Sequence, residues 1–184
     1  MTGRLPFYNI LSALIAALIL AALSTLGDFI WAHWQIRHRM VAGILHGALL
    51  CLCLGALLGR NSAKSILLGA LGGLAVGILS AGGFYLLRPL LRFYAMIAAW
   101  MELWILTALL HRWVGNTTER LSTALTRGLI AAVASGLAFY AISGIWTNPS
   151  PGGPNYPYHF LCWTIAFLPG FLALFLTRSG SEQP

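Results

Sequence analysis

Charged residues are scarce in this sequence of 184 residues: eleven are lysine or arginine, four are aspartate or glutamate, and together they make up 8% of the chain. A soluble domain usually carries about 25% charged residues. With 59% hydrophobic residues, the chain has too few polar groups to cover a surface that faces water. The composition therefore excludes an ordinary soluble domain and predicts an integral membrane protein.

Cysteine is also rare, and the features of nucleic-acid or nucleotide binding are missing. Two of the three cysteines, Cys51 and Cys53, lie inside an apolar run, and the odd count does not suit a disulfide framework. The net charge of +7 comes from basic residues placed singly or in pairs between apolar runs, a pattern typical of membrane topology. No glycine-rich segment carries the Lys-Ser/Thr of a P-loop. We therefore predict that the partner of this chain is the lipid bilayer and not a nucleic acid.

Long apolar runs, by contrast, dominate the chain. The hydrocarbon core of a bilayer takes about 20 helical residues to cross, and backbone groups in lipid must form their hydrogen bonds within the spanning structure. The runs are therefore predicted to be helices, and the short connections between them favour antiparallel hairpins. We predict a single all-α domain, residues 1–184, built as a polytopic bundle of six transmembrane helices at residues 9–33, 40–59, 65–87, 93–111, 127–146 and 158–177.

The basic residues predict how this bundle is oriented. Seven lysines and arginines fall on the side that holds both termini, and four fall on the other side. Positive charge favours the cytoplasmic side of a membrane. We therefore expect a multi-pass protein with both termini in the cytoplasm, in a membrane of the bacterial cytoplasmic type.

Small residues recur every four positions in the second and third predicted helices: Gly43, Gly47, Cys51, Gly55 and Gly59, then Gly69, Gly73 and Gly77. A seam of small residues lets another backbone approach closely. We predict that these two helices form the tightly packed centre of the bundle. A homo-oligomer that forms through one of the seams is the competing use.

Two of the four acidic residues fall inside predicted spans, where a charge costs several kcal/mol unless it is paired, protonated or placed in a polar cavity. By the helical rise of about 1.5 Å per residue, Asp28 and His46 lie about 10 Å below the surface away from the cytoplasm, and Glu102 lies about 15 Å inside. Glu119 and Glu182 fall in a loop and in the tail, where water solvates them. We predict that Asp28, His46 and Glu102 converge in one polar pocket that opens away from the cytoplasm.

Further polar side chains are expected nearer the mouth of this pocket, where we predict that they bind a ligand: Arg88, Arg92, Tyr85, His33 and His159. Glu102 is expected to point inward, because Trp100 and Trp104 share the opposite face of its helix. His46, and His159 with Cys162 three residues later, are candidate ligands for haem or a transition metal, since imidazole and thiolate suit zinc, copper and iron.

Three functions remain open on these residues. The first is transport of a small solute, a proton or a cation through the polar pocket. The second is a membrane-embedded enzyme, or a haem or metal protein, that acts on a lipophilic substrate with Asp28, Glu102 and His46 as acid and base groups. The third is an accessory or assembly subunit in which these groups only join helices, as in an ion pair of Asp28 with Arg37 or Arg88.

Overall fold

The computed structural model describes residues 4–34, 37–115, 119–147 and 155–176. These residues form six α-helices and one short 3-10 turn, and they contain no β-strand. The elements are α1 (Arg4–His33), α2 (Arg39–Leu58), α3 (Ala63–Leu91), the 3-10 turn (Arg92–Tyr94), α4 (Ala95–Val114), α5 (Leu121–Thr147) and α6 (Tyr156–Leu176). We call the end of the bundle where α1 begins and α6 ends the terminal end, and the opposite end the far end.

Five continuous helical stretches of the described chain are long and apolar enough to cross a membrane, where six were predicted. The difference lies in the 52-residue stretch Ala63–Val114, in which α3 continues through the 3-10 turn into α4. The chain reverses direction at this turn, as two contacts between α3 and α4 show. Gly72 of α3 lies against Leu110 of α4, and Gly83 of α3 lies against Glu102 of α4. The stretch is therefore a helical hairpin. The prediction of an all-α, polytopic membrane bundle is confirmed.

Helices α2 and α3 are in direct backbone contact along the predicted glycine seams. A Cβ atom added to Gly55 would overlap the carbonyl group of Gly69, and one added to Gly73 would overlap the carbonyl group of Cys51. The two backbones can come this close only because glycine has no side chain. This is the physical reason why small residues recur every four positions along both helices. In the described residues the two glycine seams therefore face each other within one chain. A homo-oligomer that forms through one of the seams remains a prediction.

The main buried cluster of the described residues lies mostly among α1, α4, α5 and α6. Its buried cluster is formed by large aromatic side chains, among them Trp100, Trp104, Phe167 and Phe171, packed against alanines of α1 and α5. Helices α2 and α3 pack tightly against each other, as predicted, but only Leu54 and Leu58 of this pair take part in the main buried cluster. Glycine seams bring two backbones together but provide little apolar surface, so the core forms where the large side chains are.

Helix α1 packs along α6 and has little contact with α2, although α2 follows it in the chain. The remaining space between residues 9–31 of α1 and residues 43–58 of α2 contains two cavities. We call this space the α1–α2 cleft. It separates a helix pair α1–α6 from a helix pair α2–α3.

Glu119 was expected to be a solvated loop residue, but it forms an ion pair at the terminal end of the bundle. Arg127, near the beginning of α5, is only 3% exposed and forms an ion pair with Glu119. The Arg127 guanidinium also donates a hydrogen bond to the backbone carbonyl of Leu174 (2.8 Å). Carbonyl groups in the last turn of a helix have no partner within that helix, so Arg127 caps α6 and Glu119 takes part in the packing of this end.

Candidate functional site

The larger cavity of the cleft lies toward the far end and has a volume of about 400 Å³. Helices α1, α2, α3 and α4 contribute most of its wall, and α5 and α6 complete it. Aromatic side chains form much of the lining: Trp31, Phe84, Tyr85, Trp100, Phe139, Trp163 and Phe167. Three polar side chains, Asp28, His46 and Ser80, interrupt this apolar wall. A mainly apolar cavity of this size with a few convergent polar groups is typical of a small-molecule site.

Asp28 is held by two side chains of α6. Its Oδ2 atom accepts hydrogen bonds from the indole Nε1–H of Trp163 (2.8 Å) and from Nδ1–H of His159 (3.0 Å). The two donors are four residues apart and therefore lie on the same face of α6. The contact fixes the orientation of the carboxylate and connects α1 to α6, while Asp28 also lines the cavity.

His46 approaches Asp28 from α2. Its imidazole ring lies directly against Gly27, where a Cβ atom would overlap the ring, and it is within electrostatic range of the Asp28 carboxylate. No residue in the described ranges forms a hydrogen bond with the His46 ring. Gly27 therefore makes room for a histidine that faces the cavity beside Asp28.

Ser80 of α3 is a third polar group, which the sequence did not single out. It is 6% exposed, it lines the cavity, and its hydroxyl has no hydrogen-bond partner among the described residues. Because Gly47 faces Gly77 and Ala81 across the α2–α3 contact, Ser80 lies at the level of His46. Its position three residues after the last glycine of the α3 seam was the available signal.

Glu102 does not line this cavity, in contrast to the prediction of a pocket shared with Asp28 and His46. Its carboxylate lies beside Gly83, on the side of α4 that packs against α3, and it has no hydrogen bond or ion pair within the described residues. Trp100 and Trp104 take the inward face of α4, at 5% and 1% exposure. The two indoles gain more from burial than a carboxylate does, so they take the side of α4 that faces the aromatic cluster, and the half-buried Glu102 faces α3.

The remaining predicted ligand-binding residues lie at the far end, most of them outside the cavity. Tyr85 lines the cavity, and its hydroxyl donates to the backbone carbonyl of Arg39 (3.1 Å). Arg88 is exposed and lies within electrostatic range of the Tyr85 hydroxyl. Arg92 is exposed in the turn between α3 and α4. His33 is exposed at the end of α1 and donates from Nδ1 to the backbone carbonyl of Phe29 (2.9 Å).

The candidate metal ligands are not gathered into one cluster. Within the described residues no group of three or more histidine, cysteine, aspartate or glutamate side chains is placed to hold a metal ion. His159 directs Nδ1 at Asp28, and Cys162 is buried, at 2% exposure. Haem or metal binding therefore remains a prediction from the sequence.

The second cavity of the cleft, about 140 Å³ in volume, lies at the terminal end. Sequence reasoning did not identify it. Apolar residues of α1, α2 and α6 form part of its wall, and five polar residues also line it: Asn9, Ser12, Arg60, Asn61 and His111. These five residues come from α1, from α4 and from the turn between α2 and α3, and they do not form a recognisable motif in the sequence.

The two cavities are close to each other along the cleft. On α1, Ala16 lines the terminal-end cavity and Leu20 lines the far-end cavity. On α2, Leu54 lines the terminal-end cavity and Cys51 lines the far-end cavity. Spacings of three and four residues correspond to about 4.5 to 6 Å along a helix. Along both helices, the residues that line one cavity are therefore about one helical turn from those that line the other.

No protein-family model, no curated protein and no solved structure matches this chain. The function has to be inferred from the two cavities and from the polar groups that line them.

Proposed function

We propose that this membrane protein transports a small lipophilic solute along the α1–α2 cleft. The observation that carries the proposal is the pair of cavities in one cleft, whose lining residues lie about one helical turn apart. A binding site that only holds a ligand needs a single cavity. A transporter needs access to its site from both sides of the membrane and a thin barrier between them.

The lining of the far-end cavity supports a solute with an apolar body. Its volume of about 400 Å³ lies within the range of about 300 to 1,000 Å³ that small-molecule sites occupy. Aromatic walls solvate a bare ion poorly, but they pack well against an aromatic or aliphatic group. Asp28 and His46 would then bind the polar group of the solute.

The packing of the helices supports a way to open the two cavities in turn. Glycine contacts hold α2 to α3, and the hydrogen bonds of Asp28 to His159 and Trp163 hold α1 to α6. Between these two helix pairs the contact is small. We propose that the pairs rock against each other as rigid bodies and that this motion moves the barrier near Ala16 and Leu20.

Uptake into proteoliposomes tests this proposal. The solutes are radiolabelled 4-phenylbutylamine, 4-phenylbutanol and 4-phenylbutyrate, which share one carbon skeleton and differ in the polar group. We expect at least one of them to enter faster than it enters protein-free liposomes, with a rate that saturates. Ala16→Leu, which fills the barrier, should lower that rate about tenfold, equivalent to about 1.4 kcal/mol of barrier.

Ala75→Leu is the matched control, because Ala75 is exposed on α3 and does not line either cavity. It should leave the uptake rate unchanged. Uptake of all three solutes at the rate of protein-free liposomes would rule out transport of this class, and an unchanged rate in Ala16→Leu would rule out the cleft as the route.

A membrane-embedded enzyme is the second candidate, and one contact favours it. The hydrogen bond from His159 to Asp28 is the arrangement in which a carboxylate orients an imidazole as a general base. The test is incubation of the purified protein with lipid extracts and mass spectrometry of the products. A product that forms with the wild type and is lost in His159→Gln would favour the enzyme.

A further inference from the structure

The buried hydroxyl of Ser80 indicates that the far-end cavity has a polar ligand. Thr25 and Thr164, which also lie within helices, each donate to the carbonyl four residues earlier at 2.8 Å. Ser80 forms no such bond in the described part of the chain, although it is 6% exposed. Ser24 and Thr107 are in the same state, and of these three hydroxyls it is that of Ser80 that lines the far-end cavity. A buried hydroxyl without a partner is unfavourable. A ligand in the cavity that Ser80 lines would supply the missing partner.

Three acceptor groups from three helices face this cavity. Oδ2 of Asp28 is occupied by Trp163 and His159, whereas Oδ1 has no hydrogen bond among the described residues. The Ser80 hydroxyl has no partner among the described residues, and the His46 ring, which lines the cavity, forms no hydrogen bond with them. A ligand that satisfies all three groups at once needs several hydrogen-bond donors on one atom. A primary ammonium group carries three N–H donors, as the lysine side chain does.

The charge of the cavity agrees with a cation. Asp28 is the acidic side chain that lines it, and its hydrogen bonds to α6 hold the carboxylate at the wall. Trp31, Trp100 and Trp163 also line the cavity, and their indole rings provide apolar surface for the body of the ligand. Together they form a site with one negative charge and an aromatic enclosure.

Positively charged side chains at the far end disfavour binding of a cation in the cavity, but their exposed position weakens this repulsion. Arg39 and Arg88 lie within electrostatic range of Tyr85, but both side chains are exposed. At that position water and counterions screen their charge. Asp28 borders the cavity itself, at 28% side-chain exposure. An anionic ligand would be attracted by the arginines and repelled by Asp28, so it serves as the opposite case in the test.

We infer that the far-end cavity binds a lipophilic primary amine in its ammonium form, with N–H groups directed at Asp28, His46 and Ser80 and an apolar body among the aromatic side chains. The inference rests on the proposed function in that it names the class of solute carried through the cleft. Because the inference is about the affinity of the cavity for a ligand, its test measures binding and not transport.

The test uses the full chain in nanodiscs and measures quenching of tryptophan fluorescence, since three tryptophans line the cavity. The probes are 4-phenylbutylamine, 4-phenylbutanol and 4-phenylbutyrate. We expect the amine to bind at least about tenfold more tightly than the alcohol, the ratio that corresponds to one charge-assisted hydrogen bond. The carboxylate should show no saturable quenching. Asp28→Asn should remove the preference for the amine over the alcohol.

Ser80→Ala provides the second variant, because removal of an unpartnered buried hydroxyl does not endanger folding. We expect it to weaken binding of the amine about fivefold. Ser24→Ala is the matched control: Ser24 is also buried without a partner in the described residues, but it does not line the cavity. It should leave the affinity unchanged.

Two results would overturn the inference: the alcohol or the carboxylate binds as tightly as the amine, or Ser80→Ala and Ser24→Ala weaken binding of the amine equally. Failure of the proposed function gives a different result. An amine that binds with the expected preference and is not taken up by proteoliposomes would rule out transport and leave the binding site in place. A solute that is taken up without any preference for an ammonium group would support transport and overturn the inference.

Discussion

The two faces of α2 show opposite ways in which membrane helices meet. Toward α3, glycines repeat every four residues and the two backbones touch, so that no Cβ atom fits between them at Gly55 or Gly73. Toward α1, the side chains of α2 are bulky and irregular, and the contact leaves two cavities. One close approach remains on that face, where the His46 ring lies against Gly27.

The difference shows that proximity in the chain does not decide which helices pack closely. The segment between α1 and α2 is short, yet α1 packs along α6. Without a hydrophobic effect between lipid-exposed helices, association depends on close packing and on hydrogen bonds. The glycine seams provide close packing between α2 and α3, and the hydrogen bonds of Asp28 join α1 to α6. The cleft is the space that neither of them closes.

The largest effect is expected where the closed face of α2 is forced open. Gly73→Leu places a side chain against the Cys51 carbonyl, and we expect a loss of about 3 kcal/mol or more in the free energy of unfolding, as in a strongly overpacked core. Gly82→Leu is the control on the same helix, because a Cβ there meets no atom within 4 Å. Unfolding in detergent measures both. Equal stability of the two variants would show that α2 and α3 do not depend on this contact.

A smaller effect is expected at the contact that holds α1 to α6 across from the cleft. Trp163→Phe removes one donor from the Asp28 carboxylate, and we expect the free energy of unfolding to fall by about 1 to 2 kcal/mol, as for a hydrogen bond to a charged group. The control is Trp113→Phe, since Trp113 is 59% exposed on α4. The same detergent unfolding experiment applies, and an equal loss in the control would contradict the assigned role of Trp163.

The smallest effect is expected at Glu102, which lies outside the cleft. Glu102→Gln changes a carboxylate that has no partner among the described residues and does not line the far-end cavity. We expect the free energy of unfolding to change by no more than about 0.5 kcal/mol, and the affinity for 4-phenylbutylamine to be unaltered. Titration of both variants, Glu102→Gln and Asp28→Asn, with 4-phenylbutylamine compares their affinities. A loss of binding in Glu102→Gln as large as in Asp28→Asn would place Glu102 in the site after all.

Part of the candidate site could be predicted from the sequence, and particular residues show why. Asp28 and His46 were identified by depth, because each is a polar group within an apolar run at a known distance from a helix end. Tyr85 was identified in the same way. Ser80 and Trp163 were not, since a serine or a tryptophan in a membrane helix is common, and only the cavity and the Asp28 carboxylate give these two a role. Glu102 was misplaced because two tryptophans take the side of α4 that faces the aromatic cluster.

The sequence by itself determined that the chain forms apolar helices of membrane-spanning length and that α2 and α3 carry matching glycine seams. Both properties belong to single segments: the hydropathy of a run and the spacing of small residues do not depend on what lies next to them. Only the tertiary structure decided that α1 pairs with α6, that Trp100 and Trp104, and not Glu102, face the aromatic cluster, and that two cavities lie in one cleft. These outcomes depend on which surfaces fit each other, and fit is a property of pairs of helices.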